Sequence, residues 1–413
     1  MSRETANPQT EMKPQSRRAR AAKLMTAAAI VLALGVGQNR GTPSAATAAT
    51  APAPALPAVP ANGEMGFVIV QFHTATFIAD PKLDCPNGLM GVLKDNYLAT
   101  LPEADRKRLT LKENEAELQK AWQAYGSNIG PNRTNICANI YEFLDRPPTP
   151  MNKGKIAWGL NLDDNAGEGG NDSYTCKHDN FTSPTGEQGV DHQLWRVRGC
   201  SELYRGIDES GNGEHRTGAD DLMMSGQLTQ VVLLRGVNSL VNDPDVQVIY
   251  ANTEDRPVTD SGGKPIFKAS YSVATNGRKA EFRNILRGRI VNGVLTTDPK
   301  DILLLGSGSD YDLARGRLRL MFQPDGTVKG LVGGYQPLLS ILGSARGGGA
   351  GSVNTGGYNC AGQYAALRLM ADGDKDPKTG QCRRISYAFE VLGIPAFVND
   401  ASARNQTASQ RRP

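Results

Sequence analysis

The stretch Arg317–Val332, RLRLMFQPDGTVKGLV, holds the pattern that decides the fold. Leu318, Leu320 and Phe322 alternate with Arg317, Arg319 and Met321, so an extended chain here has one apolar and one largely charged face. Asp325-Gly326 supplies a turn, and Val328 and Leu331 carry the chain back as the second arm of a hairpin.

The same grammar recurs on both sides. Upstream, Ile290-Val291, Asn292-Gly293 and Val294-Leu295 make a second hairpin signal. Phe267, Ala269, Tyr271 and Val273 alternate with polar residues, Asn276-Gly277 offers a turn, and Arg278 to Leu286 follows as a strand. Thr229 to Leu234 and Val246 to Tyr250 are β-rich runs separated by Asn242-Asp243-Pro244. Downstream, Arg384 to Phe397 reads as a strand pair around Gly393, and far upstream Met65 to Ile78 reads as a strand. Helical signals are fewer. Residues 92–126 carry Pro102, an acidic first turn, a Thr110-x-x-Glu113 capping pattern, and Leu118, Trp122 and Tyr125 on one face; Gln363 to Met370 is a short helix. The expected class is therefore mainly β with helical additions (α+β), built on an antiparallel β-sandwich or barrel-like core. A doubly wound parallel sheet needs helices between its strands, and the pattern offers none.

Residues 1–49 read as an export signal: Arg17, Arg18, Arg20 and Lys23 precede the apolar run Leu24 to Gly37, and small residues follow. An uncleaved anchor is the alternative; the apolar run is shorter than the roughly 20 residues of a membrane span. Residues 50–64 form an Ala/Pro-rich linker, 65–400 a β-rich globular region of one domain or two closely packed lobes, and 401–413 a disordered tail. Removing residues 1–49 takes away seven of 46 basic and two of 42 acidic side chains, which leaves 39 against 40. The basic balance belongs to the leader, so a nucleic-acid partner is not indicated. The expected location is periplasmic or extracellular.

Six cysteines in an exported chain imply disulfides. Cys85, Cys137, Cys176, Cys200, Cys360 and Cys382 fall into three sequence-adjacent pairs, so the expected bridges are Cys85–Cys137, Cys176–Cys200 and Cys360–Cys382. Cys176, His178, His192 and Cys200 also have the ligand types of a zinc site, a competing reading that an oxidising compartment disfavours.

Three polar clusters are candidates for function. Asn161, Asp163, Asn165 and Asp172 lie in NLDDNAGEGGND, and Asp372, Asp374 and Asp376 in ADGDKDP. Oxygen side chains at alternate positions can surround a hard cation, and the competing reading is a solvated turn. Over about a dozen residues the first loop resembles the opening of EF-hand calcium loops, with Ala166 where the glycine stands and Asp172 where a glutamate is usual. That resemblance implies calcium as the cofactor. No haem, nucleotide or flavin signature is present: Cys360-Ala-Gly-Gln-Tyr364 lacks the second Cys and the His of a haem site, and Gly343–Gly357 lacks the Lys-Ser/Thr of a phosphate loop. The third cluster contains Asp191, His192, Glu202 and Arg205 as candidate acid/base and anion-holding residues, with Trp195 and Arg196 as ligand contacts.

These features imply an exported, disulfide-stabilised binding or envelope-associated protein, with a glycan or other envelope component as the expected partner. The alternative is a secreted hydrolase or lyase acting on a polysaccharide or another polymer.

Overall fold

The computed structural model describes residues 55–90, 101–126, 148–342 and 360–401, without positions 168, 171 and 308 and with Lys94, Tyr97 and Leu98 in addition. Residues 1–49, expected to be an export signal, the first part of the expected linker, Cys137, Gly343–Gly357 and most of the polar tail lie outside the described residues.

Eleven strands are described: β1 (Met65–Thr74), β2 (Gln230–Arg235), β3 (Asn242–Asn252), β4 (Ala269–Ser272), β5 (Arg283–Val291), β6 (Val294–Thr297), β7 (Lys300–Leu304), β8 (Tyr311–Phe322), β9 (Val328–Pro337), β10 (Gly373–Lys375) and β11 (Cys382–Asn399). Eight of them pair antiparallel in the order β1-β2-β3-β5-β6-β8-β9-β11, and β11 returns to pair with β1. The sheet therefore closes into a barrel, which removes its free edges. Of the two expected β architectures, the barrel is the one formed.

Side chains fill the barrel. Phe67 and Ile69 of β1, Val248 of β3, Leu286 of β5, Leu318 and Leu320 of β8, Val332 of β9 and Phe389 of β11 belong to one buried cluster. Each fully buried side chain of this kind stabilises the fold by roughly 1.5–3 kcal/mol relative to exposure. Two helices, α4 (Gln193–Arg198) and α8 (Cys360–Met370), add Leu194, Val197, Ala366 and Leu367 to it. The opposite face of the barrel wall is also covered in places. Tyr271 and Val273 pack over Val231, Ile249 and Ile394, while Leu160 and Leu162 pack over Leu331 and Ala388. The second overlay, from about residue 155 to 191, carries the polar residues of interest.

Both hairpins form as expected. Val291 pairs with Val294 around Asn292 and Gly293, which have φ of 50° and 80°. Phe322 pairs with Val328 around Asp325-Gly326, and Asp325 accepts the backbone N–H of Thr327. Other boundaries differ from expectation. Asn242-Asp243-Pro244 does not separate two strands but lies inside β3, at a register irregularity between Asp243 and Val246 where a missing N–H costs no ladder bond. Arg384 to Phe397 is one long strand, not a pair. Gly393 makes no turn there; a Cβ on it would come within 2.8 Å of the Val328 side chain. The segment after Asn276-Gly277 begins as a 3-10 turn, Arg278–Glu281, before β5.

The region near 92–126 divides into α2 (Glu103–Leu109), a 3-10 turn and α3 (Glu115–Gly126), with Leu98, Leu109 and Leu118 in a small cluster beside Trp122. Thr110 does not open a helix: its hydroxyl donates to the carbonyls of Arg106 and Lys107 at the end of α2. The other helices are α1 (Pro81–Asp84), α5 (Glu202–Arg205), α6 (Glu214–Met224) and α7 (Leu338–Ile341).

Two disulfides join Cys85 to Cys200 and Cys176 to Cys382. All three expected pairings are thereby replaced, since each shares a cysteine with an observed bridge. Sequence adjacency failed because α1 packs against the turn between α4 and α5, and the Cys176 segment hydrogen-bonds to the segment at β10, which pairs with the start of β11. The observed bridges span 115 and 206 residues, and closing loops of that order restricts the unfolded chain by roughly 5 kcal/mol each. They also exclude the zinc reading that used Cys176 and Cys200 as thiolates.

Candidate functional site

The overlay positions a histidine among three carboxylates. The Cys176–Cys382 bridge, with Cys176 N–H donating to Asp372 O at 3.0 Å, holds the chain around His178 against the segment leading into β10. Gly169 leaves room for the imidazole: a Cβ at that position would meet its ring at 2.0 Å. His178 Nδ1 lies 2.8 Å from Cys176 O, and Nε2 lies 2.9 Å from Asp191 Oδ1 and 3.8 Å from Asp372 Oδ2. A carbonyl can only accept, so Nδ1 carries the hydrogen and Nε2 is the atom turned to the carboxylates.

Each carboxylate has its own anchor. Asp191 is buried and accepts the backbone N–H groups of Leu162 and Asp163 at 2.6 and 3.3 Å through Oδ2. Asp372 is buried and accepts Ser386 N–H at 2.7 Å through Oδ1. Asp163 accepts Asn165 N–H at 3.0 Å through Oδ1. Asp163 Oδ2, Asp372 Oδ2 and the hydroxyls of Tyr174 and Tyr335 are buried without a hydrogen-bond partner among the described residues.

The protonation equilibria reflect this crowding. Burial pushes Asp372 up to about 7; His178 opposes the rise and Asp191 adds to it. Burial and the Asp191 charge raise Asp163. Burial works against a charged His178, yet the hydrogen bond to Asp191 and the Asp372 charge outweigh it and lift the imidazole to about 9. Burial drives the Tyr335 phenol well above its usual range, and the nearby Asp191 and Asp372 charges add to the effect.

One aspartate from each of the three candidate clusters thus converges on His178: Asp163, Asp372 and Asp191. The remaining residues of the two acidic loops do not assemble into cation rings. Asn161 accepts Asn165 N–H and Asn165 accepts Gly167 N–H, both within their own loop. Asp172 accepts Tyr174 and Thr175 N–H and pairs with Arg315 at 2.6 Å, which holds its carboxyl far below the usual range. Asp374 pairs with Arg383 at 3.0 Å, and Asp376 accepts Lys378 and Thr379 N–H.

The third cluster also separates. His192 is fully buried, with Nδ1 2.9 Å from Trp158 O, and desolvation lowers it to about 4. Arg205 pairs with Asp84 at 3.1 Å beside the Cys85–Cys200 bridge, and Glu202 is the first residue of α5. No hydrogen bond or ion pair among the described residues links Glu202 or Arg205 to Asp191 or His192. Trp195 is buried and presents no face for stacking. Arg196 is buried as well; its guanidinium lies 3.8 Å over the Phe181 ring, Nη1 donates to Gly154 O, and Nη2 has no hydrogen-bond partner among the described residues.

Arg196 borders a pocket of about 230 Å³ together with Lys153, Lys155, Lys177, Asp179 and His178. Burial lowers the Arg196 guanidinium only to about 10, so it is charged at neutral pH. Four basic side chains against one acid give this pocket a positive field. A larger groove of about 640 Å³ lies around Pro57, Phe267 and Phe397, and it is mostly apolar. Tyr174 and Tyr335 are absent from the sequence-derived clusters, and His178 enters there only as a ligand type in the competing zinc reading. Asp372 lies far along the chain from His178, and Tyr335 far from Tyr174, whereas Asp191 is only 13 residues from His178.

Comparison with protein-family models, with curated proteins and with solved structures finds no match to this chain.

Proposed function

We propose that this chain is an exported, disulfide-stabilised binding protein, periplasmic or extracellular, whose ligand is an anionic glycan or a similar carboxylate-bearing envelope polymer. One observation carries the reading: the buried Arg196, whose Nη2 has no hydrogen-bond partner among the described residues, borders a pocket that Lys153, Lys155 and Lys177 also line. A buried guanidinium with an unused N–H pair favours a carboxylate partner, and the lysines add attraction that salt screens. Two disulfides suit a compartment where thiols oxidise. The same reading disfavours hydrolysis or elimination here. Both nitrogens of His178 are engaged inside the protein, and His192 is sealed from solvent, so neither offers a lone pair to a substrate in the pocket.

Calorimetric titration with uronic-acid oligosaccharides and with neutral oligosaccharides of equal length tests the proposal. The acidic series should bind, more weakly at high salt, and Arg196→Gln or Lys153→Glu should weaken it about tenfold or more. Equal binding of neutral sugars, or none of either, overturns it. Release of reducing ends by the wild-type protein, lost in His178→Asn, would replace it with the enzyme reading.

A further inference from the structure

We infer that Asp163, His178, Asp191 and Asp372 form a binding site for a single divalent metal ion of the zinc or manganese class, which pins the overlay to the barrel wall. The site shares His178 with the lining of the basic pocket, but it does not depend on that pocket's ligand.

Geometry is the first support. One ligand atom from each of Asp163, His178 and Asp191 lies within 4.8 Å of the others. Asp372, fully buried, directs Oδ2 to 3.8 Å from His178 Nε2, and that oxygen makes no hydrogen bond among the described residues. Asp163 Oδ2 likewise has no hydrogen-bond partner among the described residues. Buried carboxylate oxygens without a donor are costly unless a cation satisfies them.

The imidazole is the second support. With its Nδ1 hydrogen donated to Cys176 O, His178 has the orientation of metal-binding histidines, whose other nitrogen is held by a carbonyl or carboxylate. Its Nε2 faces carboxylate oxygens and needs a positive species between them. A proton there gives one imidazolium against three carboxylates, a net charge of −2 when all are ionised. A divalent ion on a neutral imidazole reduces the imbalance to −1. The nitrogen also selects the metal: calcium takes an all-oxygen shell, whereas zinc and manganese accept imidazole beside carboxylates.

Purified full chain, stripped with chelator and dialysed, is titrated separately with Zn²⁺, Mn²⁺ and Ca²⁺ by calorimetry and followed by thermal melts. A single equivalent of Zn²⁺ or Mn²⁺ should bind and raise Tm with concentration, and Ca²⁺ should bind more weakly. His178→Gln and Asp372→Asn should each weaken binding by about tenfold or more, while Asp376→Asn should not. Should those variants fail to fold, the wild-type protein gives the answer alone, because Zn²⁺ must shift the imidazole NMR signals of His178. No saturable binding of either ion, binding that leaves those signals unmoved, or binding unaffected in folded His178→Gln overturns the site. The cluster is then an imidazolium held by carboxylates.

Discussion

The ring of Tyr335 occupies the space that a side chain at position 373 would need: a Cβ on Gly373 would come within 2.4 Å of Cδ1 and 2.7 Å of Cγ. β10 pairs with β11, and this contact packs the Tyr335 ring of β9 against it at the edge of the His178 cluster. Gly373→Ala should therefore cost about 1–3 kcal/mol by overpacking, read as a lower denaturation midpoint at unchanged m-value. Tyr335→Phe removes only a buried hydroxyl that lacks a hydrogen-bond partner among the described residues, so it should be neutral or slightly stabilising in metal-free protein. A large loss for Tyr335→Phe would mean that the hydroxyl has a ligand.

The disulfide pattern has its own test. Non-reducing peptide mapping should recover Cys85 linked to Cys200 and Cys176 linked to Cys382. Replacing Cys176 and Cys382 together with Ser should cost about 2–5 kcal/mol and open the overlay to protease within residues 160–190, while the barrel strands stay protected. Recovery of Cys176 linked to Cys200 would refute the arrangement.

Stability should respond to pH in opposite directions at two buried histidines. His73 lies 3.0 Å from Asp220 and 3.3 Å from Glu390; burial opposes its charge, but hydrogen bonds to both carboxylates raise its pKa. The folded protein holds that proton more tightly than the unfolded chain. Its contribution is thus complete below about pH 6.5 and is lost as pH rises through the raised folded value. His192 has the reverse sign. With a folded value of about 4, its contribution is complete above about pH 6.5 and is lost as pH falls toward 4. The loss amounts to roughly 3 kcal/mol. Tm measured from pH 4 to 9 for wild type, His73→Gln and His192→Gln should show the first variant losing part of the alkaline dependence and the second part of the acid dependence. Profiles parallel to wild type would contradict both assignments.

Much of the barrel was legible because its signals are local. Alternation in Arg317–Phe322 depends only on the strand period, and Asn292-Gly293 and Asp325-Gly326 turn the chain by their own backbone preferences. Gly393 misled for the same reason: a glycine between apolar runs reads as a turn, yet here it admits the Val328 side chain. The first acidic segment is a loop as expected, whereas the second contains the short strand β10; the contribution of each to the His178 cluster was not visible, because Asp163 and Asp372 meet only after the overlay has folded across the barrel.

Local periodicity and turn chemistry thus specified strands, hairpins and the even set of cysteines directly from the order of residues. Barrel closure, the disulfide partners and the meeting of Asp163, Asp191 and Asp372 at His178 were decided by tertiary structure. They depend on which strand lies beside which, as in the return of β11 onto β1, and on which segment covers the outer wall. Such pairings follow from burying the whole apolar surface at once, a requirement that no short stretch of sequence carries alone.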